Sequence, residues 1–324
     1  MIITRTPFRI SFAGGGTDIN TYYKLDFGAV LNVTINKYMY ITVNKRLDES
    51  IRLSYSKTET VEQVDDLQHD IVRECLKLVG ISSGIEITSV ADIPAGTGLG
   101  SSSSFTVGLL NALYTHIGQS QSAYELAEKA CHIEIDILGA PIGKQDQFAA
   151  AFGGLNYYRF NKDESVSHEI INLTERETNS LNNKLMLFYT GISRNANQIL
   201  SDQKKSESIN KANLDYMRDQ AEFLKKEIFA HGITEKIGQM LHEGWLRKKE
   251  LSGSISNEFI DSCYNEALEA GVSGGKLLGA GGGGFLLFYC DEPYQAKVRE
   301  ALSLYELDFR TTNHGSRVVY IGGE

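Results

Sequence analysis

The stretch Pro94 to Ser104, PAGTGLGSSSS, constrains the fold more than any other part of the chain. Gly96, Gly98 and Gly100 let the backbone take conformations closed to other residues and bring its N–H groups close to a ligand. Ile85 and Ile87 precede it as a short strand, and Phe105, Leu109, Ala112 and Leu113 follow at helical spacing. Strand, glycine loop and helix in this order set the positive end of a helix against the loop, which suits an anion. The loop lacks the lysine of GxxxxGK[ST] and the later spacing of a dinucleotide fingerprint. The hydroxyls of Ser101 and Ser102 can cap the helix, bind phosphate oxygens or ligate Mg²⁺. Taken alone, the stretch also reads as a flexible connection to a capped helix.

Around this loop the pattern mixes strands and helices. Phe8, Ile10 and Phe12 alternate with Arg9 and Ser11 as in a half-buried strand that runs into Gly14, Gly15 and Gly16. Residues 29 to 43 read as one or two further strands. Ser122 and Glu125 form a capping box for a helix whose stripe is Leu126, Ala130, Ile133 and Ile137, ended by Gly139 and Pro141. Residues 154 to 183 are polar, and the strand LMLFY at 185 to 189 opens a second domain, giving an expected division into 1–180 and 181–324. Charged amphipathic helices fill 195 to 250, with Met217, Ala221, Leu224 and Ile228 on the apolar side. A glycine cluster, a strand FLLFYC, a helix near 294 to 304 and a strand RVVYI close the chain. Strands and helices are mixed without strict alternation, so the expected class is α+β.

A length of 324 residues with 42% apolar and 23% charged residues fits a folded enzyme of about two domains. The formal net charge of −9 repels nucleic acid and anionic membrane, so neither is an expected partner. Anionic substrates must then be captured by local amides, lysines and arginines. Cys75, Cys131, Cys263 and Cys290 are far apart and read as reduced, buried thiols. No run approaches the ~18 apolar residues of a membrane span, and the start has no leader pattern, so a cytoplasmic location is expected.

Two carboxylates stand out. Glu134 follows Leu126 by eight residues, beside the apolar stripe, where it is either a snorkelling surface group or a cation ligand. Asp146, in GKQDQFAAAFGG, is either a helix N-cap or a chemical group. The cluster SGGKLLGAGGGG at 273 to 284, with Lys276, is a tight packing turn or a wall against a phosphate.

Taken together and in order, PFRISFAGGGTD, PAGTGLGSSSS, EIDILGAPIGKQDQF and KLLGAGGGG resemble the galactokinase, homoserine kinase, mevalonate kinase and phosphomevalonate kinase superfamily. The resemblance covers nearly the whole chain, and RISFAGGGTD is most similar to the heptose 7-phosphate kinase branch, with fucokinases near it. It implies an N-terminal domain like domain 2 of ribosomal protein S5, a ferredoxin-like C-terminal domain and an active site between them. It implies ATP phosphates at Pro94, Gly96, Gly98, Leu99, Gly100, Ser101, Ser102 and Ser103, with Gly281 and Gly282 against them, and Mg²⁺ at Ser102 and Glu134. Asp146 matches the catalytic aspartate, Arg9 its basic partner, and Asp18 the carboxylate that grips sugar hydroxyls.

Phosphoryl transfer needs mainly positioning and neutralisation of oxygen charge, which amides, Mg²⁺ and arginine supply. Gly15 and Gly16 stand where galactokinases carry Glu and His, which enlarges the pocket for a longer sugar phosphate. Lys144 and Arg194 are candidate cations for a second phosphate, and each also reads as a surface charge. The expected activity is transfer from ATP to the anomeric hydroxyl of a heptose 7-phosphate. A hexose 1-kinase acting on fucose or galactose, and a sugar-sensing protein without catalysis, are the competing readings. A homodimer is the assembly considered.

Overall fold

Arg9 and Ser11 are as buried as Phe8, Ile10 and Phe12 on the same strand, β1 (Ile2–Ala13). The half-buried expectation is corrected because helices cover both faces of this strand. Residues 1–192 and 207–322 are described by the computed structural model. In chain order β1 is followed by α1 (Asn20–Tyr23), β2 (Gly28–Lys45), β3 (Ile51–Ser54), β4 (Thr58–Val61), α2 (Asp70–Val79), β5 (Ile85–Ala91) and α3 (Ser101–His116). Then come α4 (Ala123–Cys131), α5 (Gln145–Phe152), β6 (Leu155–Phe160), β7 (Val166–Ile170), α6 (Glu175–Lys184) and β8 (Leu185–Tyr189). Beyond residue 206 lie α7 (Glu207–His231), α8 (Lys236–Glu250), α9 (Glu258–Ala270), β9 (Gly274–Leu277), β10 (Phe285–Tyr289), α10 (Glu292–Leu302), β11 (Tyr305–Glu306) and β12 (Arg317–Ile321).

The first sheet runs β12-β1-β2-β5-β3-β4, with β6 and β7 branching from β2. Residues 29 to 43 form one strand rather than two. Its first part, Gly28–Val33, pairs β6, and its last part, Met39–Lys45, pairs β5, so a single long strand carries two neighbours on one edge. The polar stretch after Gly154 conceals β6, β7 and α6. Leu155, Tyr157, Tyr158 and Phe160 are buried in β6 although polar residues surround them in sequence.

The second sheet has the order β11-β8-β10-β9. Numbered by its own strands this is 4-1-3-2 with helices after the first and third, the split βαβ arrangement of ferredoxin-like folds. Its core holds Phe188, Trp245, Tyr264 and Phe288. Met217, Ala221, Leu224 and Ile228 of α7 are all buried, as their spacing requires. The chain then returns to the first sheet, where β12 pairs antiparallel with β1. The α+β class therefore holds.

Helix α4 carries the expected capping box. Past Cys131 the winding loosens into a π-helical segment, His132–Ile137. Each residue then turns through less than in an α-helix. Ile137, expected on the apolar stripe, is consequently 44% exposed, whereas Glu134 is 2% exposed. No helix among the described residues is long and apolar enough to cross a membrane. All four cysteines are free and buried.

Candidate active site

One cavity of about 580 Å³ collects the loop before α3, the π-helical segment, the start of α5, strand β1 and the glycine cluster between β9 and β10. Among the sequence-derived candidates, Arg9, Gly15, Gly16, Asp18, Gly96, Gly98, Gly100, Ser101, Ser102, Ser103, Glu134, Asp146 and Gly281 line it.

Helix α3 begins after Gly100, which takes a left-handed conformation, and no side chain caps it. The capping reading of Ser101 and Ser102 is thereby set aside. The hydroxyls go elsewhere: Ser102 Oγ donates to Glu134 Oε1 at 2.7 Å and Ser103 Oγ to Oε2 at 2.9 Å. Gln147 Nε2 also donates to Oε2, at 2.6 Å. Burial pushes the Glu134 carboxyl up from the usual range, while the bonds from Ser102, Gln147 and Ser103 pull the other way. Glu134 is thus no snorkelling surface group. It is a buried carboxylate facing the loop, with no cationic partner among the described residues.

Asp146 does not cap α5 through its side chain; Lys144 is the N-cap residue. Its carboxylate instead takes two bonds from Arg9, Nε to Oδ1 and Nη2 to Oδ2, both 2.7 Å. Arg9 Nη1 donates to Gly98 O at 2.6 Å, and Arg9 N to Leu99 O at 3.1 Å. One residue of β1 therefore fixes both the aspartate and the glycine loop. Bidentate arginine–carboxylate pairs are geometrically specific and strong when partly buried.

Asp18 accepts from the backbone N–H groups of Gly16 (3.0 Å) and Gln145 (3.1 Å). Burial pushes its pKa up to about 6, with Asp146 adding to the rise. Beside Gly15, Ser11 Oγ and Gln145 Oε1 are buried polar atoms with no partner among the described residues. Both residues line the cavity. Such groups are open to a hydrogen-bonding ligand or to water.

Pro94, Leu99 and Gly282 do not line the cavity. Pro94 O accepts from Thr97 Oγ1, Leu99 belongs to the core, and Gly282 N donates to Ile255 O. Lys144 is corrected more strongly: its Nζ bonds Glu164 O at 3.1 Å and lies over the Tyr23 ring, outside the cavity. The helix start after Lys144 aims Gln145 and Asp146 inward, so the lysine is carried outward. Arg194 lies outside the described residues.

The cavity holds two cations that the sequence reading gave no role. Lys276 stands in the glycine cluster at 273 to 284, and Lys248 falls within the charged helices of 195 to 250. Lys248 is 8% and Lys276 4% exposed, and both line the cavity. A signal was present: Lys248 follows Leu241 and Trp245 by seven and three residues, on the buried side of α8.

The two glycine loops touch directly. A Cβ on Gly98 would stand 2.6 Å from Leu278 O, and one on Gly279 would stand 2.4 Å from the Gly98 Cα. Both glycines also have positive φ, so only glycine fits at either position.

A glycine loop at a helix start, a buried carboxylate facing it and an arginine-held aspartate beside it define a phosphotransferase site on a two-sheet α+β fold. Residues 68–154 match the GHMP kinases N terminal domain, and residues 225–306 the GHMP kinases C terminal domain. A D-glycero-alpha-D-manno-heptose 7-phosphate kinase of Campylobacter jejuni is 32% identical over 97% of this chain and 97% of its own. The structure of a D-glycero-D-manno-heptose 1-phosphate kinase from Bacteroides thetaiotaomicron superposes with a TM-score of 0.82 at 24% identity, covering 100% of both chains. The phosphomevalonate kinase of Streptococcus pneumoniae shares the fold at a TM-score of 0.78 and 17% identity, covering 96% of this chain and 100% of its own. The chain belongs to the GHMP kinase family, and it is an ATP-using kinase.

Proposed function

We propose that this kinase transfers the terminal phosphoryl group of ATP to the anomeric hydroxyl of D-glycero-D-manno-heptose 7-phosphate, giving the 1,7-bisphosphate. The observation that carries the reading is the Arg9–Asp146 pair, bonded to the phosphate loop on one side and open on the other to a cavity with orphaned polar atoms and two lysines that meet no carboxylate among the described residues. The similarity to the Campylobacter enzyme supports the choice of sugar.

In this reading the N–H groups around Gly96 to Ser103 and the start of α3 hold the triphosphate. Asp146 accepts the proton of the attacking hydroxyl, and Arg9 orients it and offsets charge on the phosphoryl oxygens. Asp18, Ser11 and Gln145 orient the sugar. Ser102 and Glu134 fit Mg²⁺, being a hydroxyl and a buried carboxylate without a cationic partner, the hard oxygen donors this ion takes. Bound there, Mg²⁺ would neutralise triphosphate charge. Gly15 and Gly16 leave the space that a seven-carbon phosphorylated sugar requires. The free, buried thiols suit a reducing compartment, so the proposed location is the cytoplasm.

A panel of heptose 7-phosphate, fucose, galactose and mannose under ATP and Mg²⁺ tests the assignment. The expected result is turnover of the sugar phosphate at least ~10-fold above the others in kcat/KM, a discrimination of about 1.4 kcal/mol. Equal turnover of fucose or galactose would move the assignment to a hexose 1-kinase, and no turnover of any would favour a non-catalytic sensor.

A further inference from the structure

Two ammonium groups taken out of water without a carboxylate to meet them are costly to keep. Lys248, near the end of α8, and Lys276, on β9, are such groups. Neither forms an ion pair among the described residues. Lys248 Nζ donates to Gly279 O, and Lys276 Nζ donates to Phe12 O at 3.1 Å. An ammonium carries three donors, so each has further donors to offer beyond its one backbone bond. The two carbonyls fix where the groups sit. Gly279 lies against Gly98 of the phosphate loop, and Phe12 leads into Gly14 to Gly16 beside the proposed sugar pocket. Both lysines line the same cavity as Arg9 and Asp146.

We propose that Lys248 and Lys276 form a built anion site that binds a phosphate group of a substrate in this cavity. The assignment deepens the kinase reading and rests on it for the identity of the ligand, which is either the phosphate the sugar already carries or the terminal phosphate of the nucleotide. The electrostatics agree with an unmet demand for negative charge. Burial, with the charge of Arg9 nearby, pushes Lys248 down to about 8; burial, Lys248 and Arg9 push Lys276 well below its ordinary value. A phosphate arriving there favours the charged form of both. If the ligand is the sugar's own phosphate, the site takes the part that Lys144 was expected to play, with two side chains drawn from the second sheet and its helix.

The test compares wild type, Lys248→Met, Lys276→Met and Lys248→Arg. Circular dichroism and Tm without ligand establish that each is folded. Inorganic phosphate is then titrated while Tm is followed, a readout independent of turnover. The expected result is a phosphate-dependent rise in Tm in wild type and Lys248→Arg that falls by at least half in both methionine variants. Full retention of that rise in both methionine variants, or no rise in wild type, would overturn the site. Kinetics on heptose 7-phosphate and ATP separate the sources. A tenfold or greater rise in KM for the sugar phosphate alone assigns the site to the sugar's phosphate. A loss confined to KM for ATP or to kcat assigns it to the nucleotide. Unchanged kinetics for both methionine variants, in an active wild type, would overturn a role in substrate binding. A wild type that turns over no sugar in the panel but shows the lysine-dependent phosphate response would overturn the kinase substrate and leave the anion site standing.

Discussion

Arg9 and Asp146, 137 positions apart, meet through two bonds of 2.7 Å each, and the same guanidinium reaches Gly98 O. The aspartate is thereby held at a fixed point relative to the phosphate loop. Replacing Asp146 by Asn keeps the shape but removes the carboxylate. Turnover should fall by ~10²-fold or more, the scale of general base catalysis, with ATP affinity nearly unchanged. Steady-state kcat and nucleotide binding by fluorescence titration check this; undiminished kcat would remove Asp146 from the chemistry.

Glu134→Gln keeps the bond from Ser102 at its amide oxygen, places a nitrogen where Ser103 and Gln147 both donate, so that the Ser103 hydroxyl must turn to accept, and loses the anion. Half-maximal activity should then require more Mg²⁺, since one anionic ligand is gone. The amide also meets the Gln147 Nε2 donor, a lost bond worth about 1 kcal/mol in unfolding experiments. An Mg²⁺ titration indistinguishable from wild type would reduce Glu134 to a structural acceptor.

Gly279→Ala tests the contact between the loops. Its Cβ would stand 2.4 Å from the Gly98 Cα in a backbone at φ +73°, so both loops must move. Stability should fall by about 1–3 kcal/mol, and the KM for ATP should rise if the displaced loop holds the triphosphate as proposed. Thermal unfolding and ATP kinetics measured on one preparation report both.

Asp18 gives the protein a pH dependence of known sign. Its pKa is pushed up to about 6 by burial, above the unfolded value near 3.8. Burial therefore favours the protonated form, and the associated stability is present below pH ~4 and lost as pH rises through about 6. In Asp18→Asn this loss is absent. The stability of the variant relative to wild type should improve between pH 4 and 7, by up to about 3 kcal/mol for a shift of this size. Urea unfolding across that range gives the difference directly, and parallel curves would show that Asp18 does not titrate there.

Gly15 has space for a side chain: an added Cβ meets Ser11 Oγ at 3.5 Å and Gln145 Nε2 at 3.6 Å, ordinary contacts. Gly15→Ala should leave kinetics nearly unchanged. Gly15→Glu brings a negative charge into the pocket and should raise KM for the sugar phosphate by ~10-fold or more through like-charge repulsion. KM values for both variants, with ATP as the internal control, decide whether the sugar lies beside Gly15.

Much of this site was legible in the chain because its parts are local. The glycine loop before α3, the carboxylate beside the stripe of α4 and the aspartate of the GKQDQF segment each carry a short-range pattern. What pairs them is long-range. Nothing in the segment around Ser103 or Gln147 announces that both donate to Glu134. The π-helical segment is similarly hidden, since it has no composition of its own, and it moved Ile137 to the surface. Lys144 misled because adjacency to Asp146 in sequence says little about direction at a helix start. Lys248 was overlooked for the opposite reason: lysines on charged helices are mostly solvated, and only its phase relative to Trp245 marks it as buried. Strands β6 and β7 escaped because short strands amid polar residues give little periodicity to read.

The meeting of Gly98 with Gly279 couples two stretches of the gene that lie far apart. Backbone fitted against backbone tolerates no side-chain adjustment, so a change of shape in either turn must be answered in the other. Among relatives these two turns should therefore be inherited as a matched set, and a hybrid enzyme that takes only one of them from a donor should fold poorly where the double exchange succeeds.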